Sequence, residues 1–245
     1  MGLKVQIVSD LHVDCHRDWL KTLATKVVVP GHPDTLIVAG DTAQTNAPQF
    51  LQAYRYLSRH YSEILAVLGN HEHYGSTRKD VASVLKSLPS NVRVLQEEKV
   101  TLNGFTFGGT SLWFGTGFSL RLKSCLTDFK AIPNFEPWVY EANYQARVFL
   151  DQPLDVWITH HLPHHSSVAV RYIGSALNCF FVDDCSKLIR YHAPLAVIHG
   201  HTHEPADYSI TGLLGENTRV LANPLGYPNE HSGFKYCELT LTHRH

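Results

Sequence analysis

Apolar runs of four to six residues recur along the chain, and each stops at the same kind of polar residue. Residues 3–8 end at Ser9-Asp10, residues 35–39 at Gly40-Asp41, and residues 64–68 at Gly69-Asn70-His71-Glu72. Residues 154–158 end at Thr159-His160-His161, and residues 195–198 at His199-Gly200-His201. Runs this apolar and β-branched suit strands covered on both faces. Between them, residues 48–59 open with Pro48 and place Phe50, Leu51, Tyr54 and Leu57 at helical spacing. Residues 77–88 put Val81, Val84, Leu85 and Leu88 on one face, and residues 137–150 and 183–191 read as two further helices. Strands alternating with helices predict an α/β fold. Shorter, partly alternating runs at 92–95, 100–102, 105–107, 208–210, 219–221 and 236–241 predict antiparallel or edge strands. Residues 108–133 are loop-rich and aromatic, with Trp113, Phe114, Phe118 and Phe129. No repeat and no linker interrupts the pattern, so one domain over residues 1–245 is expected.

Composition narrows the classes. A hydrophobic fraction of 44% over 245 residues supports a sizeable core and argues against disorder. Lys plus Arg number 21 and Asp plus Glu 22, for a net charge of −1, so no basic surface advertises long nucleic acid or an anionic membrane. No apolar stretch approaches the roughly 18 residues of a membrane span, and the N-terminus lacks a signal-peptide core. The five cysteines are scattered and form no C-x-x-C pair, which disfavours a disulfide framework and points to a reducing cytoplasm. The 17 histidines stand out as an excess of metal-binding and proton-handling side chains.

In open α/β sheets ligands bind beyond the carboxyl ends of the strands. The polar strand ends would then bring together Asp10, His12, Asp41, Asn70, His71, His160, His201 and His203. Carboxylate, amide and imidazole without thiolate suit Mn, Fe or Zn. His16, His32, His60, His73, His164, His165, His192, His199 and His231 read mainly as structural or surface residues, with substrate contact as the alternative for His73 and His164. Glu72 reads either as orienting a neighbour or as a surface or structural residue beside His71. The aromatic loop with Trp113, Phe114 and Phe118 reads equally as a substrate wall or as a satellite hydrophobic cluster.

The ordered series Asp10-Leu11-His12, Gly40-Asp41, Gly69-Asn70-His71-Glu72, His160 and Gly200-His201-Thr202-His203 resembles the calcineurin-like metallophosphoesterase superfamily. The likeness runs from Asp10 to a tail at Asn223-Pro224-Leu225-Gly226-Tyr227. It implies a four-layer α/β/β/α sandwich of the metallo-dependent phosphatase type. It also implies two metal ions, with Asp10, His12 and His203 on the first, Asn70, His160 and His201 on the second, and Asp41 bridging both. His71 would handle the proton of the leaving group. His160 is preferred to His161 as ligand because the family's ligand directly follows the strand-end residue; His161 and Arg171 are then candidates for substrate contact. Two divalent cations set against two carboxylates and a bridging hydroxide leave a net charge of about +1, which attracts phosphate. That hydroxide would attack phosphorus in line with the leaving oxygen. Neutral histidines bind metal, so affinity should fall below the imidazole pKa of about 6.5.

Departures from the family's branches narrow the expectation. Gly40-Asp41-Thr42-Ala43-Gln44-Thr45-Asn46 lacks the arginine of the protein phosphatases. Gln44 stands where purple acid phosphatases have tyrosine and where the pyrophosphate hydrolases of lipid A synthesis carry an acidic residue. The resemblance then points to the small bacterial, cytoplasmic branch. The function expected is hydrolysis of a small phosphodiester or phosphomonoester, nucleotide-like esters included. A non-catalytic scaffold of the same fold and a nuclease for short oligonucleotides are the alternatives. A complete ligand set disfavours the first, and the absence of a basic surface disfavours a nuclease acting on long DNA.

Overall fold

A computed structural model describes residues 2–116 and 120–244. Two mixed sheets pack face to face, with helices on both outer faces. The first sheet has the order β11-β1-β2-β3-β4, formed by Glu238–Leu241, Leu3–Val8, Thr35–Ala39, Glu63–Val67 and Val92–Val94. The second has the order β5-β6-β7-β8-β10-β9, formed by Glu98–Leu102, Phe105–Gly109, Val156–Ile158, Ala196–His199, Asn217–Ala222 and Ala206–Thr211.

The period-two alternation of the strands explains the layering. Val5 and Ile7 of β1, Ile37 of β2 and Leu65 of β3 face Phe105, Phe107, Val156, Ile158 and Ile198 of the second sheet, giving the central core. Their neighbours Val8, Leu36, Val38, Ile64 and Ala66 point the other way. They are covered by Phe50, Ala53, Tyr54 and Leu57 of α2 (Pro48–Leu57) and by a helical segment that starts at α1 (Trp19–Thr22) and ends in a π-turn (Leu23–Val27). On the far side, Trp157, Val197 and Val220 are covered by Ala146 and Leu150 of α6 (Glu136–Leu150) and Ile189 of α7 (Ser186–His192). Gln6 is a polar residue buried in β1. Its Nε2 donates to the Val27 carbonyl at 2.8 Å and its Oε1 accepts from the Tyr61 hydroxyl at 2.8 Å, which satisfies the amide and pins the end of the π-turn.

The structure adds detail that the pattern did not carry. The segment 19–27 is helical although its pattern did not announce it. β4 is an edge strand but runs parallel to β3, because α3 (Arg78–Leu85) intervenes as a crossover. β6 and β10 pair antiparallel with β5 and β9, as expected, and on their other sides run parallel to β7 and β8 inside the second sheet. The β9–β10 hairpin turns its more apolar strand inward: β10 buries Thr218, Val220, Leu221 and Ala222, whereas β9 buries Ile210 alone. Helix α7 also begins later than residue 183, at Ser186.

The aromatic loop contains two short helices, α4 (Leu120–Lys123) and α5 (Asp128–Ala131). Trp113 and Phe114 pack with Leu126, Ile132, Phe135, Val139 and Phe180 in a separate hydrophobic cluster, the satellite arrangement; Phe118 lies outside the described residues. Among the described residues no helix is long and apolar enough to cross a membrane.

Candidate metal centre

Strands β1, β2, β3, β7 and β8 deliver Asp10, Asp41, Asn70, His160 and His201 to one edge of the two packed sheets. The turns there are sharp. Asp10, His12, Asp41, His201 and His203 all adopt positive φ, between 40° and 67°, a region where Asp and His are tolerated but which costs energy. Backbone hydrogen bonds hold these turns: Asp10 N–H donates to Gly40 O and His12 N–H to Asp41 O, both at 3.0 Å. The tail at 223–227 latches on from the side. Asn223 Nδ2 donates to Ile7 O at 2.9 Å, and Leu225 and Gly226 N–H donate to Ser9 and Asp10 carbonyls at 2.9 Å. Gly69 stands where any Cβ would run into Asp41 and the His160 ring, so the close approach of these side chains requires glycine there.

The donors fall into two groups whose ligand atoms lie within 4.8 Å of one another: Asp10, His12, Asp41 and His203, and Asp41, His160 and His201. Asp41 belongs to both. Its Oδ2 lies 3.4 Å from His160 Nε2 and 3.8 Å from His12 Nε2, while its Oδ1 accepts from the His71 N–H at 2.9 Å. Asn70 Oδ1 is 3.2 Å from His160 Nε2, and His203 Nε2 is 3.5 Å from Asp10 Oδ1. His12 and His203 aim their Nε2 atoms at each other across 3.0 Å. Two imidazole lone pairs at that separation repel unless a proton or a cation lies between them. His160 Nδ1 donates to Ala39 O at 2.9 Å and His203 Nδ1 to Glu230 Oε2 at 2.6 Å, which leaves each Nε2 to face the centre as a ligand atom. The set fits a pair of hard-to-borderline divalent cations.

The electrostatics reflect crowding. Burial pushes Asp41 up, but His160, His71 and His12 outweigh it and hold the carboxyl well below its usual range. Burial pushes His160 down; Asp41 reverses this and raises it to about 10. Burial drives His12 and His201 well below the ordinary imidazole value and lifts Asp10.

Several residues support the centre from outside the ligand set. Glu72 is fully buried, and its carboxylate accepts from the N–H groups of Asp41 at 3.0 Å, Thr42 at 2.6 Å and Gly69 at 2.7 Å. It staples the turn after β2 to the turn after β3. Burial, followed by the neighbouring Asp41 charge, pushes its carboxyl up to about 8. Asp128 accepts from Asn70 Nδ2 at 3.0 Å and from the Tyr74 hydroxyl at 2.7 Å, which turns the oxygen of Asn70 toward the centre. Tyr227 stacks on His12 at 4.3 Å, and its hydroxyl lies 2.9 Å from His71 Nε2.

A cavity of about 410 Å³ opens from the centre. His71, Asn70, Asp41, His201 and His203 form its polar end, and Leu126, Leu162, Val168, Leu177 and Phe181 line the walls. Arg171 sits at the rim, its guanidinium 2.9 Å from Glu204. His161 lies behind the ligands, fully buried, with Nδ1 on Ser111 O and its ring 5.0 Å from Trp113 and 4.4 Å from His201; it is not a wall of the cavity. His73 is likewise buried, between Trp113 and Trp138.

A family model described as calcineurin-like phosphoesterase matches residues 3–205. The chain is 24% identical to uncharacterized protein L509 of Acanthamoeba polyphaga mimivirus, over 94% of this chain and 93% of that one. Its fold is similar to that of a phosphopantetheinyl hydrolase from Mycobacterium tuberculosis, with a TM-score of 0.74, 17% identity and 96% of both chains covered. It is also similar to the protein TT1561 of Thermus thermophilus, with a TM-score of 0.52, 17% identity, and 93% of this chain and 90% of that one covered. Viral and bacterial proteins both figure among these relatives, so they do not single out the bacterial branch.

Proposed function

The chain belongs to the calcineurin-like phosphoesterase family, and from that premise we propose that it hydrolyses small phosphate esters with two divalent cations at the strand ends. Asp10, His12 and His203 would hold one cation and Asn70, His160 and His201 the other, with Asp41 available to both. The observation that carries the reading is the position of Asp41, the one residue common to both donor groups. Bound there, the cations supply Lewis acidity to the phosphoryl oxygens and acidify the water that attacks phosphorus.

The rest is work for the chain's own side chains. His71 lies on the cavity wall beside the ligands and protonates the leaving oxygen, a role worth about 10²–10⁴-fold. Tyr227 fixes the ring of His71 through the contact to Nε2. Asp128 and Glu230 orient Asn70 and His203. The apolar walls exclude bulk water from the organic arm of the ester, which raises the strength of every charge interaction at the polar end. A cavity of about 410 Å³ suits a small mono- or diester rather than a protein or long nucleic acid. Five free thiols fit a reducing, cytoplasmic setting.

The test is hydrolysis of an aryl phosphodiester and of the matching monoester by chelator-stripped protein, before and after adding Mn²⁺, Fe²⁺ or Zn²⁺. Metal-dependent turnover that disappears in Asp41→Ala is expected. Metal binding without turnover of either ester would replace this reading with the scaffold.

A further inference from the structure

Asp128 is the first residue of α5, only 2% exposed, and it lines the cavity beside Asn70 and His71. Both of its hydrogen bonds fall on a single oxygen: Asn70 Nδ2 and the Tyr74 hydroxyl donate to Oδ1. Oδ2 has no hydrogen-bond partner among the described residues. Oδ2 is not among the fully buried unpartnered atoms, so it reaches the cavity, where it can meet a ligand. Orienting Asn70 needs only Oδ1, and a neutral amide would serve that purpose as well.

The surroundings define what Oδ2 can take. Elsewhere on the cavity wall, Thr127, Ser175, Asn178 and Thr202 are neutral. Arg171 is engaged with Glu204. Apart from the histidines of the centre, the described lining therefore offers no free cation to a second anionic group, and Asp128 repels one. A hydrogen-bond donor on the substrate would complete the carboxylate.

We propose that Asp128 selects the substrate, accepting through Oδ2 a hydrogen bond from a hydroxyl, amide or ammonium group on the organic arm of the ester, and that the site turns away esters with a second phosphate at that place. The proposal rests on the phosphoesterase reading above.

The experiment compares symmetric diesters, so that binding orientation does not matter. Manganese-loaded protein is given bis(3-hydroxypropyl) phosphate, dibutyl phosphate, and the analogue whose arms end in phosphate, with products followed by phosphorus NMR. A hydrogen bond to a charged group predicts that kcat/KM favours the hydroxyl-bearing ester over dibutyl phosphate by about tenfold. Asp128→Asn keeps an acceptor for Asn70 and Tyr74 and presents an N–H group where Oδ2 stood. In this variant the hydroxyl preference falls to about threefold or less, while relative turnover of the phosphate-ended ester rises severalfold. A merely structural loss would lower all three together and leave the ratios alone. A wild-type ratio near one, or ratios unmoved by Asp128→Asn, overturns the proposal while dibutyl phosphate turnover keeps the phosphoesterase reading alive. No turnover of any of these esters, nor of the aryl diester and monoester above, overturns both.

Discussion

Acid should open the aromatic cluster beside the metal centre through His73. Its ring is buried between Trp113 and Trp138, with centroids 5.6 and 5.5 Å away, and its Nδ1 has no partner. Burial, and then the Arg78 charge lying over Trp138, push it down to about 4. The unfolded chain protonates histidine at about 6.5. Because the folded value is the lower one, the neutral ring contributes stability above about 6.5, and that contribution is lost as pH falls toward 4. Between about pH 7.5 and pH 5 the loss from this residue is about 2 kcal/mol, a large share of a typical 5–15 kcal/mol. His73→Phe keeps the ring volume and cannot titrate. Urea unfolding of metal-stripped protein, read by tryptophan fluorescence at both pH values, should show wild type losing about 2 kcal/mol more than the variant. Parallel losses in the two proteins would refute the argument that burial holds His73 neutral.

Three further outcomes follow from the geometry of the centre. In the metal-free protein Asp41 holds a proton on His160, raised to about 10, so loading metal at neutral pH should release protons and apparent affinity should rise with pH well above 6.5; calorimetry in two buffers of different ionisation enthalpy measures this, and no proton release would contradict it. Glu230→Gln weakens the acceptor for His203 Nδ1 and should lower metal affinity by about 10–100-fold with little change in the unfolding midpoint of stripped protein. Gly69→Ala places a methyl group against Asp41 and His160 and should abolish tight metal binding, as measured by metal content after gel filtration.

The features legible in the sequence were the ones written locally. Each ligand strand is a short apolar run, and its polar end follows within a few residues, so Asp10, Asp41, Asn70, His160 and His201 could be read along with their strands. The two outer helical layers follow from the same alternation. Strand direction depends on what lies between strands, which is why the parallel partners of β4, β6 and β10 were not legible. Asn103-Gly104, both at positive φ, marks the β5–β6 hairpin, and that turn signal was in the sequence. Glu72, Asp128, Tyr227 and Glu230 acquire their roles from distant partners. Glu72 beside His71 looks like an ordinary charged residue until burial brings three amides onto it. Asp128 lies 58 positions from Asn70, and no periodicity records that contact.

The donors are divided between the sheets: Asp10, His12, Asp41 and Asn70 come from the first, and His160, His201 and His203 from the second. His12 and His203 are 191 positions apart. On the ribosome, the first sheet's donors emerge long before their counterparts, and an exposed half-site of this kind holds a cation only loosely. Selective capture must wait until the last histidines have left the exit tunnel and the two sheets have closed. A site assembled this way would take up metal only after the chain has folded.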